Sequence, residues 1–297
     1  MLIHRRAFLA AAAVPALLPS FALAASGTIE TRDGQRLFTI DQGAGDKGAG
    51  RPIVFIHGWT LSSAIWSLQI EALASQGLRA IAYDRRGHGQ SSKPDAGYDY
   101  ETLAGDLATL LDKLDLTDVV LVGHSMSAGE VVRYLARHGT ARVSRVMLVA
   151  PTTPYALKTD DNPQGVERAI YDKMVAALQT DRYGYLASGA PGLLGRNVEP
   201  ELVEWAMSIA LQAAPQAQID CLRAFSETDF RPDLEAVTVP TLILYGTADS
   251  PIAPINAQRT QAGIAGSRVE IYEGAPHALF VTDAERFNRD LLQFAGS

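Results

Sequence analysis

The sequence has one cysteine, Cys221, in 297 residues. A single thiol cannot close an internal disulfide, and no Cys/His cluster has zinc-like spacing. Positive charge is short as well: 26 Lys and Arg against 33 Asp and Glu give a formal net charge of −7. A chain of that sign is a poor binder of phosphate backbones, so no nucleic-acid partner is expected. Charge of either sign is modest, at 20% of residues against 47% apolar, which excludes a disordered chain. A chain of this size buries a substantial core without a metal or disulfide staple. Beyond residue 24 there is no internal repeat, no low-complexity tract and no uncharged run long enough to span a bilayer.

The first 24 residues stand apart from the fold. Arg5 and Arg6 precede an uncharged Ala- and Leu-rich run that ends in Ala22-Leu23-Ala24, an A-x-A cleavage pattern. The segment Arg5-Arg6-Ala7-Phe8-Leu9 resembles a twin-arginine export signal, with His4 and Ala10 at positions where that pattern favours other residues. An ordinary secretory signal and an uncleaved anchor are the alternatives. No cysteine lies near the cleavage pattern, so a lipid-anchored start is excluded. Export to a bacterial periplasm is the expectation, and a lone Cys221 suits it, because a surplus thiol there risks oxidation.

The rest alternates between short apolar runs and helical spacing. Asp33-Gly34 between residues 28–31 and 36–40 signals a hairpin, and the Gly-rich stretch 43–50 reads as a loop. Runs at 53–56, 80–83, 119–122, 146–149 and 241–245 read as strands buried on both faces. Helical patterns fall at 66–74, 103–114 and 126–137, with Asp99 a candidate cap for the second, and 269–272 and 284–294 add a strand and a terminal helix. This order predicts an α/β fold, a mostly parallel sheet with helices on both sides. Residues 151–239 break the pattern: 166–178, 201–211 and 215–225 look helical and no buried strand appears. The expected organisation is a signal at 1–24, core at 25–150, a helical cap at 151–239 and core again at 240–297.

The strand at 119–122 runs into Gly123-His124-Ser125-Met126-Ser127 and then a helix. A serine at a sharp strand-to-helix turn is a nucleophile elbow: the turn lifts the hydroxyl out of the sheet and needs small neighbours two before and two after. Gly123 is one, and Ser127 stands where glycine is usual. The base and orienting acid should follow in the order serine, acid, histidine. Asp249 lies on the loop after the strand at 241–245, where ligands of open α/β sheets gather. His277 lies on Gly274-Ala275-Pro276-His277, beyond the next strand. Taken singly each is an ordinary surface or core residue; the order and the settings together single out Ser125, His277 and Asp249. The backbone N–H groups of Met126, after the serine, and of Trp59, in His57-Gly58-Trp59, are placed to form an oxyanion hole. The run Asp84-Arg85-Arg86-Gly87-His88-Gly89 precedes the serine, the wrong order for a catalytic pair, and reads as structural, with Asp84 and Arg85 bonding the loop backbone or each other.

These residues resemble the α/β-hydrolase superfamily over the whole chain after the signal. Residues 83–92 with 97–100, and 124–138, are similar to the cofactor-free bacterial haloperoxidases and their sister aryl esterases. The resemblance implies an eight-stranded, mostly parallel sheet with a helical cap after the sixth strand. It implies hydrolysis of a small-molecule carboxylic ester or lactone with no cofactor and no metal, and peroxyacid formation as a side activity of some members. A serine at the elbow, where alkyl-halide and epoxide enzymes carry aspartate, argues for acyl chemistry. The rival readings are a haloperoxidase that forms peroxyacids and, more distantly, a ligand-binding homologue without turnover. In that family a proline commonly follows the oxyanion-loop aromatic, and here it is Thr60. Proline would fix φ near −65°, so hydrolysis is expected to dominate, and Thr60→Pro to raise the share of perhydrolysis. Thr60, Tyr155 and Trp205 are the pocket candidates; Tyr183, Tyr185, Leu193, Leu194 and Phe225 are further apolar residues of the cap, as suited to its own core as to a lid. No oligomeric state follows from the sequence.

Overall fold

The computed structural model describes residues 25–43, 50–252 and 254–296. Residues 1–24, where an export signal is expected, and most of the Gly-rich stretch, 44–49, lie outside them. The described residues begin with the expected hairpin: β1 (Ala25–Glu30) and β2 (Arg36–Gln42) pair antiparallel, and Gly34 takes φ 80° in the turn. β3 (Ile53–Ile56) leads through a 3₁₀ turn (Ser63–Trp66) into α1 (Ser67–Ala74), and β4 (Ala80–Tyr83) follows. Next come α2 (Tyr100–Lys113), β5 (Val119–His124), α3 (Ser127–His138) and β6 (Val143–Val149). Asp99 caps α2: its carboxylate accepts from the Thr102 N–H at 3.0 Å, satisfying one of the helix's unpaired donors.

Five helices then separate β6 from the next strand: α4 (Arg168–Thr180), α5 (Arg182–Leu194), α6 (Pro200–Ala210), α7 (Pro215–Glu227) and α8 (Arg231–Leu234). The chain closes with β7 (Thr241–Gly246), α9 (Ile255–Gly263), β8 (Arg268–Tyr272), α10 (Leu279–Thr282) and α11 (Ala284–Gly296). α5 is the helix that the sequence pattern does not announce, because Gly184, Gly189, Pro191 and Gly192 dilute it. It holds through the Asp181 carboxylate, which accepts from the Gly184 N–H at 2.9 Å, and through a buried stripe of Leu186, Ala190 and Leu194 at four-residue spacing.

The eight strands of the described residues form one sheet in the order β1-β2-β4-β3-β5-β6-β7-β8, antiparallel across β1, β2 and β4 and parallel from β4 to β8. Period-2 alternation divides its apolar residues between two cores. Val54, Ile56, Ile81, Leu121, Leu148 and Ile243 face α2, α3 and α9. Ile53, Phe55, Ala82, Val122, Met147 and Leu244 face α1 and α11, where Trp66 stacks on Phe280 with ring centroids 4.1 Å apart. With both faces covered, each central strand reads as a continuous apolar run.

The inserted helices lie over the loops at the carboxyl ends of the strands. The Ala214 N–H donates to Gly87 O at 2.7 Å, the Trp59 indole N–H to Gln218 O at 2.8 Å, and the Ala278 N–H to Leu193 O at 2.8 Å. Those partners follow β4, β3 and β8. Gly246, the last residue of β7, sits where a Cβ would come 2.0 Å from Ala275 O and 2.9 Å from Pro276 O. Both obstacles are backbone, so the loops after β7 and β8 approach this closely only around a glycine. Gly246→Ala should lower stability by about 1–3 kcal/mol, the usual range for forced overpacking. Gly105, inside α2 with open space at its Cβ, supplies the contrast: Gly105→Ala should raise stability by about 1 kcal/mol through helix propensity. Urea midpoints of both variants measure this, and equal shifts of the same sign would contradict it.

Candidate active site

Ser125 has φ 58° at the junction of β5 and α3, a left-handed conformation that non-glycine residues seldom adopt. The turn is held from several sides. The Ser125 N–H continues the sheet ladder to Val149 O at 2.8 Å, and Ser125 O accepts the Ala128 N–H at 3.1 Å as α3 begins. A Cβ on Gly123 would lie 3.0 Å from Ser127 O, and one on Gly58 would lie 2.6 Å from His124 Nδ1 and 3.2 Å from the Ser125 Cβ. Ser127, fully buried, uses the hydroxyl that glycine would lack: it is 2.7 Å from Ile56 O and 2.8 Å from His124 O, sharing its hydrogen between the ends of β3 and β5.

Asp249 and His277, 28 residues apart, meet at 2.7 Å between Oδ2 and Nδ1. The other Asp249 oxygen accepts the Ile252 N–H at 2.9 Å. Nδ1–H therefore donates to the carboxylate and Nε2 is left as the basic atom. The His277 ring lies 4.6 Å from the ring of His124, the residue before Ser125, and its carbonyl accepts the His124 Nε2–H at 3.2 Å. Ser125, His277 and Asp249 thus share one end of the sheet, and each is at most 8% exposed. The Ser125 hydroxyl has no hydrogen-bond partner among the described residues; contacts of this kind tighten when substrate binds.

Trp59 follows Gly58 in the loop after β3 and packs its ring edge-on to Phe225 of α7 at 6.1 Å. Met126, fully buried, is the N-cap residue just before α3, and its carbonyl accepts the Tyr100 hydroxyl at 2.8 Å. Thr60 has φ 64°. That corrects the expectation for Thr60→Pro: proline's ring locks φ near −65°, so this loop cannot take proline without being rebuilt, and the substitution does not isolate the perhydrolysis question.

Two of the pocket candidates make contacts within the inserted segment and the core. Tyr155 lies beneath the Arg231 guanidinium at 5.4 Å, and Trp205 packs half-buried against the apolar cluster of α1 and α11. Tyr183 is 63% exposed. Aromatic content marks a helix as amphipathic without saying which face meets the site. Among the described residues no group of three or more His, Cys, Asp or Glu is arranged to hold a metal, and no helix is long and apolar enough to cross a membrane.

Asp84 and Arg85 do not bond each other. Asp84 accepts the Ser63 and Gln90 N–H groups, both at 2.7 Å. Arg85 instead pairs with Glu130 of α3, fully buried, at 2.7 Å. Glu130 was legible only as a carboxylate inside the apolar stripe of α3.

With this geometry in place, family membership follows: the chain belongs to the α/β-hydrolase fold family, whose model matches residues 51–284. Among curated relatives, a non-heme chloroperoxidase of Kitasatospora aureofaciens is 39% identical over 275 residues, covering 89% of this chain and 97% of that protein. A bifunctional esterase/perhydrolase of Acinetobacter calcoaceticus is 33% identical, covering 91% of this chain and all of that protein. The solved structure of an esterase from Exiguobacterium antarcticum superposes with a TM-score of 0.87 at 30% identity, over 91% of this chain and 99% of that one.

Three further histidines around the site are buried and neutral. Burial, reinforced by the Arg85 charge, pushes the pKa of His57 well below the usual histidine value and that of His88 down to about 3. Burial, then the neighbouring His277, does the same to His124. Below pH 6.5 the unfolded chain takes up protons that these folded imidazoles refuse, so stability falls with falling pH, by about 1.4 kcal/mol per pH unit per histidine. His88→Asn, which keeps a donor for Arg86 O, should therefore shrink the stability difference between about pH 7.5 and about pH 5.5 by about 1.4 kcal/mol. An unchanged difference in urea unfolding would show that His88 is protonated in the folded protein.

Proposed function

We propose that this chain is a serine hydrolase that cleaves a carboxylic ester or lactone through an acyl-enzyme. The observation that carries the proposal is the Asp249–His277 contact at 2.7 Å, with the His277 ring 4.6 Å from that of His124, the residue before a serine held at φ 58° on a strand-to-helix turn. His277 Nε2 takes the Ser125 proton as Ser125 Oγ attacks the carbonyl carbon. Asp249 keeps the proton on Nδ1 and stabilises the imidazolium that forms. The N–H groups of Trp59 and Met126 hold the oxyanion, aided by the start of α3. Collapse of the tetrahedral intermediate expels the alcohol, which takes its proton from His277. Water then repeats the sequence on the acyl-enzyme. Protein groups and water are the only participants.

The relatives named above include a chloroperoxidase and an esterase/perhydrolase, so peroxyacid formation is the second reading. Hydrolysis is placed first because Thr60 stands where the resembling family commonly has proline. We propose further that residues 1–24 direct export to the periplasm; cell fractionation and amino-terminal sequencing of the mature protein test this, and a cytoplasmic chain that retains Arg5 and Arg6 would refute it.

A panel of short-chain aryl esters, run with and without hydrogen peroxide, tests the main reading. Hydrolysis should exceed peroxyacid formation at matched peroxide, and dominant peroxyacid formation would favour the second reading. Ser125→Ala should abolish ester turnover. Ser127→Ala, which removes only the tether to Ile56 O and His124 O, should retain most of it. The reverse ranking would show that the wrong hydroxyl has been assigned.

Asp249→Asn should lower kcat by about 10⁴-fold, the reference loss when the tautomer-holding acid goes. Asp84→Asn provides the comparison. If that variant were folded and equally damaged while Asp249→Asn was mild, Asp84 and not Asp249 would be the acid.

A further inference from the structure

The end of β4 carries a buried ion pair that the reaction scheme leaves unused. Tyr83, Arg85, His57 and Glu130 are all fully buried. Arg85 Nε and Nη2 donate to one Glu130 oxygen at 2.9 and 2.7 Å, and the Tyr83 hydroxyl donates to the other. Nη2 also donates to His57 O at 2.9 Å, and the Arg85 backbone N–H donates to His57 Nε2 at 3.0 Å. His57 Nδ1–H donates to Gly58 O at 2.8 Å, which leaves Nε2 free to accept. One arginine therefore grips the last turn of the chain before Trp59 and, through Glu130, the first turn of α3, four residues after Met126.

We propose that Arg85 is a positioning residue for the oxyanion hole: by holding His57 and Glu130 together it sets the spacing between the Trp59 loop and the start of α3. The proposal rests on the acyl-transfer reading above. Its logic is geometric. The two oxyanion donors come from different strand ends, and their hydrogen bonds strengthen catalysis only if both point at the place where charge develops. Thr60 in the loop after β3 is strained at φ 64°, so the loop needs an external hold. Arg85 supplies that hold from the sheet side, and Gln218 O, accepting the Trp59 indole at 2.8 Å, supplies it from the inserted helices. Stability alone is a weak reason for such a pair, because apolar side chains of similar volume often replace a buried ion pair at no loss.

That last point gives the test. Two variants are measured for urea stability, for kcat and KM on p-nitrophenyl acetate, and for inhibition by phenylboronic acid, whose serine adduct is tetrahedral. Arg85→Lys keeps the charge beside Glu130 but lacks the fork. The combined variant Tyr83→Phe, Arg85→Met and Glu130→Leu removes the whole pair without leaving an orphaned hydroxyl or charge. In folded protein each should lower kcat by about tenfold or more with KM within about twofold, and weaken boronate binding in proportion to kcat/KM. Either variant alone decides the matter. Folded protein with unchanged kcat and boronate affinity would overturn the proposal and leave the pair a purely structural device. Wild-type protein whose Ser125 resists fluorophosphonate would refute the acyl-transfer reading itself, a failure distinct from that of the clamp.

Discussion

The left-handed turn at Ser125 is the constraint on which the rest of the site depends. A φ of 58° at a non-glycine residue is unfavourable in isolation and persists only where its surroundings over-determine it. Here β5 enters the turn with its ladder bonds intact and α3 leaves it with its first helical bond already made. Missing side chains at Gly123 and Gly58 let the neighbouring strand ends close in. The Ser127 hydroxyl then binds both strand ends at once. Where glycine is usual, this chain has a tether.

The electrostatics around the turn follow one pattern. Buried charge is hydrogen-bonded, to an opposite charge as in Arg85–Glu130 or to backbone N–H groups as in Asp84, and the rings of His57, His88 and His124 are neutral. An imidazolium formed on His277 meets a neutral His124 on one side and the Asp249 carboxylate on the other. Burying an unpaired charge nearby would oppose that protonation, and a neutral His124 avoids this. The same arrangement makes the protein sensitive to acid.

Much of this was legible from residues close together in the chain. The hairpin at Asp33-Gly34, the five buried strands, the Asp99 cap and the run from Val119 to Ser127 carry local signals whose meaning changes little with tertiary context. Asp249 and His277 were found by order and by loop setting, and their contact is what the fold adds. Long-range features escaped. Arg85 and Glu130 are 45 residues apart, and nothing local pairs them. α5 was hidden by Gly184, Gly189, Pro191 and Gly192. The positive φ at Thr60 is not a property of residue type, so a comparison based on residue type alone suggests a substitution that the backbone cannot accept. Tyr183 shows the limit of reading a pocket from composition: a large aromatic in the inserted helices points to solvent.

The central claim is that Ser125 becomes covalently acylated. Wild-type protein should be mixed with p-nitrophenyl acetate, quenched in acid within the first turnover, digested and mapped by mass spectrometry. The account predicts an initial burst of p-nitrophenol and a single acetyl group on Ser125, absent when His277 is replaced by alanine. An acetyl group on any other residue, or full turnover by a chain whose Ser125 stays unmodified throughout, would contradict it.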